Sequence, residues 1–191
     1  MTSKTLFICA DGTDTSPPDL RRYPAATVDF EFIHEIPASP DAVADALLDE
    51  DYQRSLADLG SLADRELLKQ KKLSSGHVRR EVRCVLDIEL NSTVKKFVGD
   101  GDPAWVEESE WDPEKLTWTW NVEPEVGGGL LEANGVIAIE PDGDSTRRKV
   151  TGTVKVHVPF YGGKVEGIII GGLERAYEEE AQRLKEWVQR G

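Results

Sequence analysis

The sequence predicts an α+β domain in which a seven-stranded antiparallel sheet packs against one long C-terminal helix, with two short helices after the first strand. Three observations predict it. Residues 28–36 alternate apolar and charged side chains with period two, six further segments of about 6–12 residues lie between turn signals, and after Pro159 the apolar period changes to 3.6. The chain has 191 residues, 39% hydrophobic and 31% charged, which suits one domain plus a short segment. Residues 1–27 are therefore expected to be an N-terminal extension and 28–191 the folded domain.

The extension holds an Asp-Gly step, a Pro-Pro step and a Thr/Ser/Asp cluster at 11–18, which is loop chemistry with room for a short strand near 6–9. In the first strand Val28, Phe30, Phe32, His34 and Ile36 share one face, and Asp29, Glu31 and Glu35 the other. Ser39-Pro40 reads as an N-cap followed by a proline at the first helical position, with Val43, Ala46 and Leu47 as the apolar stripe. A second short helix over about 51–59 ends at Gly60. Strands are expected at 62–72, 77–90, 104–111, 116–123, 131–140 and 147–158, separated by Ser74-Ser75-Gly76, 99–103, Asp112-Pro113, 127–129 and 141–144. Residues 91–98 read equally as a loop or a short helix. The closing helix, about 163–189, carries a stripe that includes Ile168, Ile169, Leu173, Tyr177, Leu184 and Trp187 among charged neighbours.

Charge excludes some functions. The net charge of −13 repels phosphate backbones, so no nucleic-acid partner is expected. The distribution is uneven: residues 65–83 carry seven bases against two acids, and 100–114 carry seven acids and no base. The basic segment reads as a solvated hairpin or as a peripheral docking site for an acidic partner or an anionic lipid surface. No apolar run approaches the about 20 residues of a spanning helix. The apolar stretch at 5–10 is shorter than the about 7–15 residues of a secretion signal's core. Two cysteines without a CxxC pair suit a reducing compartment, so a cytoplasmic location is expected.

Chemical motifs are sparse. There is no GxSxG, no P-loop and no dinucleotide-binding glycine fingerprint. His34, His77 and His157 have no metal-ligand spacing, so neither a metal nor a cofactor is expected. His34 falls on the apolar face of the first strand, either as a core histidine with a satisfied hydrogen bond or as a donor and acid–base group toward a ligand. Trp118 and Trp120 share a face, as packing or as a stacking surface for a flat ligand, and Tyr52, Tyr161 and Tyr177 can each bring a hydroxyl to a pocket wall. Trp105 and Trp111 share a face with Glu107 and Ser109, yet Glu107 and Glu132 are expected on the convex, exposed side. Cys84 reads as a small buried hydrophobe. Gly163, Gly167 and Gly171 recur every four residues on the last helix beside Ile168, implying a close approach there by a facing strand or by a ligand.

The run from Phe32 to Val43 (FIHEIPASPDAV), with Ala46-Leu47-Leu48-Asp49 behind it, and the run from Val156 to Glu166 (VHVPFYGGKVE) together resemble the helix-grip fold of the START-like (SRPBCC) superfamily, which includes polyketide cyclases, plant allergens and lipid-transfer domains. The pairing is most similar to a domain-of-unknown-function branch, and the likeness runs over about residues 28–190. It implies that the sheet is curved around the last helix and that the space between them holds a hydrophobic molecule. On this resemblance the chain is expected to bind or carry a lipid-like or polycyclic compound. His34, Tyr52, Trp118, Trp120, Tyr161, Gly167, Ile168, Gly171 and Tyr177 are the candidate ligand-binding residues. The alternatives are a cyclase or aromatase in the same cavity, with His34 as the catalytic candidate, and an interaction module whose pocket is filled by side chains.

Overall fold

Alternating residues make the strands and a long amphipathic segment makes the helix that closes them. A computed structural model describes residues 26–87, 104–125, 131–157 and 162–190. β1 (Ala26–Ile36) opens two residues ahead of the predicted strand and buries Phe30, His34 and Ile36 on one face. Two helices follow, α1 (Pro40–Leu48) and α2 (Glu50–Ser55), the second continued by a 3₁₀ turn over Leu56–Asp58. The Ser39 hydroxyl accepts from the Ala42 N–H at 3.3 Å, and the Asp49 carboxylate accepts from the N–H groups of Asp51 and Tyr52 at 2.7 and 3.1 Å. Both helices thus start on side-chain caps, which satisfy donors that would otherwise be orphaned.

The remaining strands are β2 (Leu62–Lys72), β3 (Val78–Leu86), β4 (Ala104–Asp112), β5 (Thr117–Pro124), β6 (Leu131–Asp142) and β7 (Ser145–Val156). They pair antiparallel in the order β1-β7-β6-β5-β4-β3-β2, so the first strand returns to the last while the rest form a meander. The chain closes with α3 (Gly162–Val188). This is the seven-stranded helix-grip arrangement. β5 starts one residue later than predicted because Leu116, at φ 53°, belongs to the preceding turn. Residues 91–98, and the part of the third predicted strand beyond Asp87, lie outside the described residues.

The inner face of the sheet divides the apolar interior in two. One core joins Ile36, Val43, Leu47 and Tyr52 to Trp111, Trp118 and Leu184, and so ties α1 and α2 to the C-terminal half of α3. The other gathers Phe30, Trp120, Val150 and Val154 under Ile169, Ile170 and Leu173 of its N-terminal half. At the floor of the second core two glycines face each other, Gly135 on β6 and Gly152 on β7, with Phe30 opposite Gly152 and Trp120 opposite Gly135. The two rings lean across the bare backbone to stack at 6.2 Å and 29°. Glycine is required here by the closeness of the rings, since both positions lie within strands and not in turns.

Candidate functional site

Between the two cores the walls do not meet. They leave a cavity of about 80 Å³ in the part bounded by described residues, where roughly 10–15 Å³ admits one water. Its lining mixes apolar and aromatic side chains, Trp118, Trp120, Ile137, Leu173, Ala176 and Tyr177, with polar ones, Arg65, Arg80, Glu107, Ser109, Gln53 and Glu180. β4 supplies the polar pair because Trp105, Glu107, Ser109 and Trp111 alternate toward the helix. This corrects the expectation of an exposed Glu107, for the sheet's curvature turns that whole face inward. Glu132 does lie on the outer face, half exposed, beside Lys155 and His157.

The arginines at the cavity are committed elsewhere. Arg65 donates to the Gln53 carbonyl and side-chain oxygens at 2.7 and 2.8 Å. Arg80 donates to Gln70 at 2.7 Å and to the Leu47 carbonyl at 2.5 Å, and lies 4.1 Å over the Trp118 ring. No hydrogen bond joins the side chain of Glu107 or of Ser109 to another described residue. Burial pushes the Glu107 carboxyl above the usual carboxylate range; Arg65 opposes this and Glu180 adds to it. Burial also lowers Arg80 to about 10 and pushes the Cys84 thiol up to about 12, so Cys84 stays a protonated wall residue.

Behind Tyr177 lies an ion pair. The fully buried Arg148 donates to Glu180 at 2.8 Å and places its guanidinium 5.4 Å from the Tyr177 ring. His34 neighbours this pair and turns its Nε2 toward Glu178 at 3.4 Å, while its Nδ1 is buried with no partner among the described residues. Burial, and then the Arg148 charge, hold the imidazole below its ordinary pKa of 6.5 against the pull of Glu178 and Glu180. An NMR titration is accordingly expected to give His34 a midpoint below 6.5. Stability tied to this neutral histidine is present above 6.5 and is lost as pH falls through the lowered folded-state value. His34→Phe should remove that acid-side loss, and a midpoint at or above 6.5 would contradict the placement.

Of the residues singled out from sequence, Trp118, Trp120 and Tyr177 come together at the cavity. His34 is on the inner face but outside this lining, and Tyr52 is packed in the first core, its hydroxyl donating to the Glu180 carbonyl at 3.3 Å and its ring edge-on to Trp187. Gly167 is exposed, and a Cβ there would meet no atom of the described residues within 4 Å; one at Gly171 would reach only Arg175. The close approach expected at these two glycines is therefore not seen among the described residues. Tyr161 and the side chain of Ile168 lie outside the described residues. In the basic segment, Arg65 and Arg80 turn inward, Lys69 pairs with Glu81, Arg79 with Glu110, and Arg83 with Glu125 and Asp64. The segment is the β2–β3 hairpin, in which Lys69, Lys71, Lys72 and Arg79 stay exposed while Arg80 is buried and Arg65 partly so.

Among the described residues there is no cluster of side chains suited to a metal ion, and no helix long and apolar enough to cross a membrane. The structure is similar to that of TTHA0849 from Thermus thermophilus (TM-score 0.62, 21% identity, 85% of this chain and 98% of that one). It is also similar to the Zhui aromatase/cyclase of a Streptomyces species (0.61, 13%, 86% and 95%) and to a START superfamily protein of Mycobacterium smegmatis (0.53, 17%, 85% and 97%). At such identities the likeness establishes a common START-like fold. No curated protein matches the sequence. The family described as protein of unknown function DUF2505 matches residues 31–188, and with nearly the whole domain inside that match the chain belongs to this family.

Proposed function

We propose that the chain binds a small hydrophobic, ring-bearing molecule between the sheet and α3. The observation that carries this is the unfilled space between the two cores, lined in part by Trp118, Trp120, Leu173 and Tyr177. Concave, largely aromatic walls with a few convergent polar groups are the usual form of a small-molecule site.

Because a Cβ at Gly167 would meet no described residue, the position that tests the cavity is Ala176, which lines it from the helix. Naphthalene should bind saturably and quench the tryptophan emission. Ala176→Phe, which fills the space, should weaken that binding by at least about tenfold while leaving a cooperative thermal transition. Undiminished binding to a folded Ala176→Phe protein would show that the probe sits elsewhere.

The second reading is an enzyme of the cyclase or aromatase kind, favoured by the polar lining. Glu107, Ser109 and Tyr177 border one space, as a reaction that moves protons about an apolar substrate requires. Native mass spectrometry of the purified protein separates the two readings: a carrier retains an unchanged ligand, whereas an enzyme incubated with a reactive polyketide releases a cyclised product.

A further inference from the structure

We infer that Glu107 and Ser109 are the polar anchor of the cavity and that its ligand is a hydroxylated aromatic, whose ring lodges beside Trp118 and Trp120 and whose hydroxyl bonds to this pair. The inference rests on the binding reading above and names the ligand class for the same site. Glu107 and Ser109 stand two residues apart on the inward face of β4, roughly 6.5–7 Å between Cα atoms, and Ser109 lies directly opposite Trp120 in the β4–β5 register. A ring beside Trp120 therefore carries a substituent toward both polar groups.

The surroundings choose among substituents. A carboxylate would need forked donors, and the Nε–Nη2 edge of Arg80 is taken by Gln70 and the Leu47 carbonyl while Nη1 and Nη2 of Arg65 both bond Gln53. A cationic amine would face the charges of both arginines. The groups turned toward Glu107 are Arg65 from β2, Arg80 and Cys84 from β3, Tyr177 and Glu180 from α3, and Arg148 from β7 behind the tyrosine. Besides the indole N–H groups of Trp118 and Trp120, which are buried with no partner among the described residues, the lining offers one carboxyl and one hydroxyl with no hydrogen bond there, and a ligand hydroxyl can donate to the first and accept from the second.

The test compares naphthalene, 2-naphthol and 2-naphthoate by fluorescence titration of the wild-type chain, Glu107→Leu and Ser109→Ala. Wild type should bind 2-naphthol at least about tenfold more tightly than naphthalene, the worth of one buried hydrogen-bonded group. Glu107→Leu should bind the two equally and unfold no earlier than wild type, and Ser109→Ala should lose part of the preference. Equal binding of naphthol and naphthalene by wild type, a preference that survives Glu107→Leu, or tightest binding of 2-naphthoate would each overturn the inference while leaving the cavity reading in place. If wild type binds none of the three, both fall. Should Glu107→Leu fail to fold, the wild-type ratios and Ser109→Ala still decide.

Discussion

Glu180→Leu is expected to destabilise the protein by about 3 kcal/mol, the lower end of the cost of removing one partner from a buried ion pair. Arg148 has no solvent exposure and Glu180 is 17% exposed, which is why the lower end applies. Glu180 supplies the only hydrogen bond to the Arg148 guanidinium among the described residues; Nε and Nη1 already have none. Without the carboxylate a full positive charge would stay buried beside Tyr177, and thermal unfolding should begin roughly 10 °C earlier. Arg148→Met combined with Glu180→Leu should recover most of that loss, because an apolar pair of similar volume replaces both charges. If Glu180→Leu unfolds at the wild-type temperature, the pair is hydrated and the structural account of this end of the cavity is wrong.

The second large effect is expected at the glycine pair. A Cβ at Gly152 would stand 2.7 Å from the Phe30 ring, 2.7 Å from the Trp120 ring and 2.8 Å from the Asn134 carbonyl oxygen, all well inside ordinary contact distance. Gly152→Ala should therefore cost about 1–3 kcal/mol through forced movement of the stacked rings. Gly135→Ala should cost more, since its Cβ would collide with the Thr151 carbonyl oxygen, a backbone atom that cannot turn aside as a ring can. Chemical denaturation of the two variants measures both costs. A Gly135→Ala protein as stable as wild type would mean that the sheet is flatter than described.

The framework was legible in the sequence because it depends on local period. Alternation in residues 28–36 placed His34 inward without any tertiary information, and the 3.6-residue stripe located α3 to within a residue at each end. The polar lining was not legible, for a physical reason that β4 shows well. Trp105, Glu107, Ser109 and Trp111 were recognisably on one face, but the acid argued for solvent and the tryptophans for the interior. Only the curvature of the sheet, which hides the whole face, decides between them. Arg80 repeats the lesson on β3: alternation with Val78 and Val82 pointed it inward, while the surrounding positive charge suggested a solvated hairpin. Gly135 and Gly152 carried a usable signal, glycine in the interior of an otherwise β-branched strand. The glycines of α3, whose described surroundings are open, are the more conspicuous in sequence because they recur every four residues.

The free edge of the sheet has a consequence of its own. Among the described residues β2 pairs only with β3, and a strand edge with no partner presents backbone groups that invite a strand from another molecule. Two register shifts interrupt it, at Leu62/Asp64 and at Leu67/Lys69, and exposed Glu66, Lys69, Lys71 and Lys72 crowd its length. Irregular spacing and ammonium groups are poor partners for the flat, in-register stacking that builds fibrils. Like charges on this edge also repel their counterparts on a second copy of the chain, which disfavours edge-to-edge pairing.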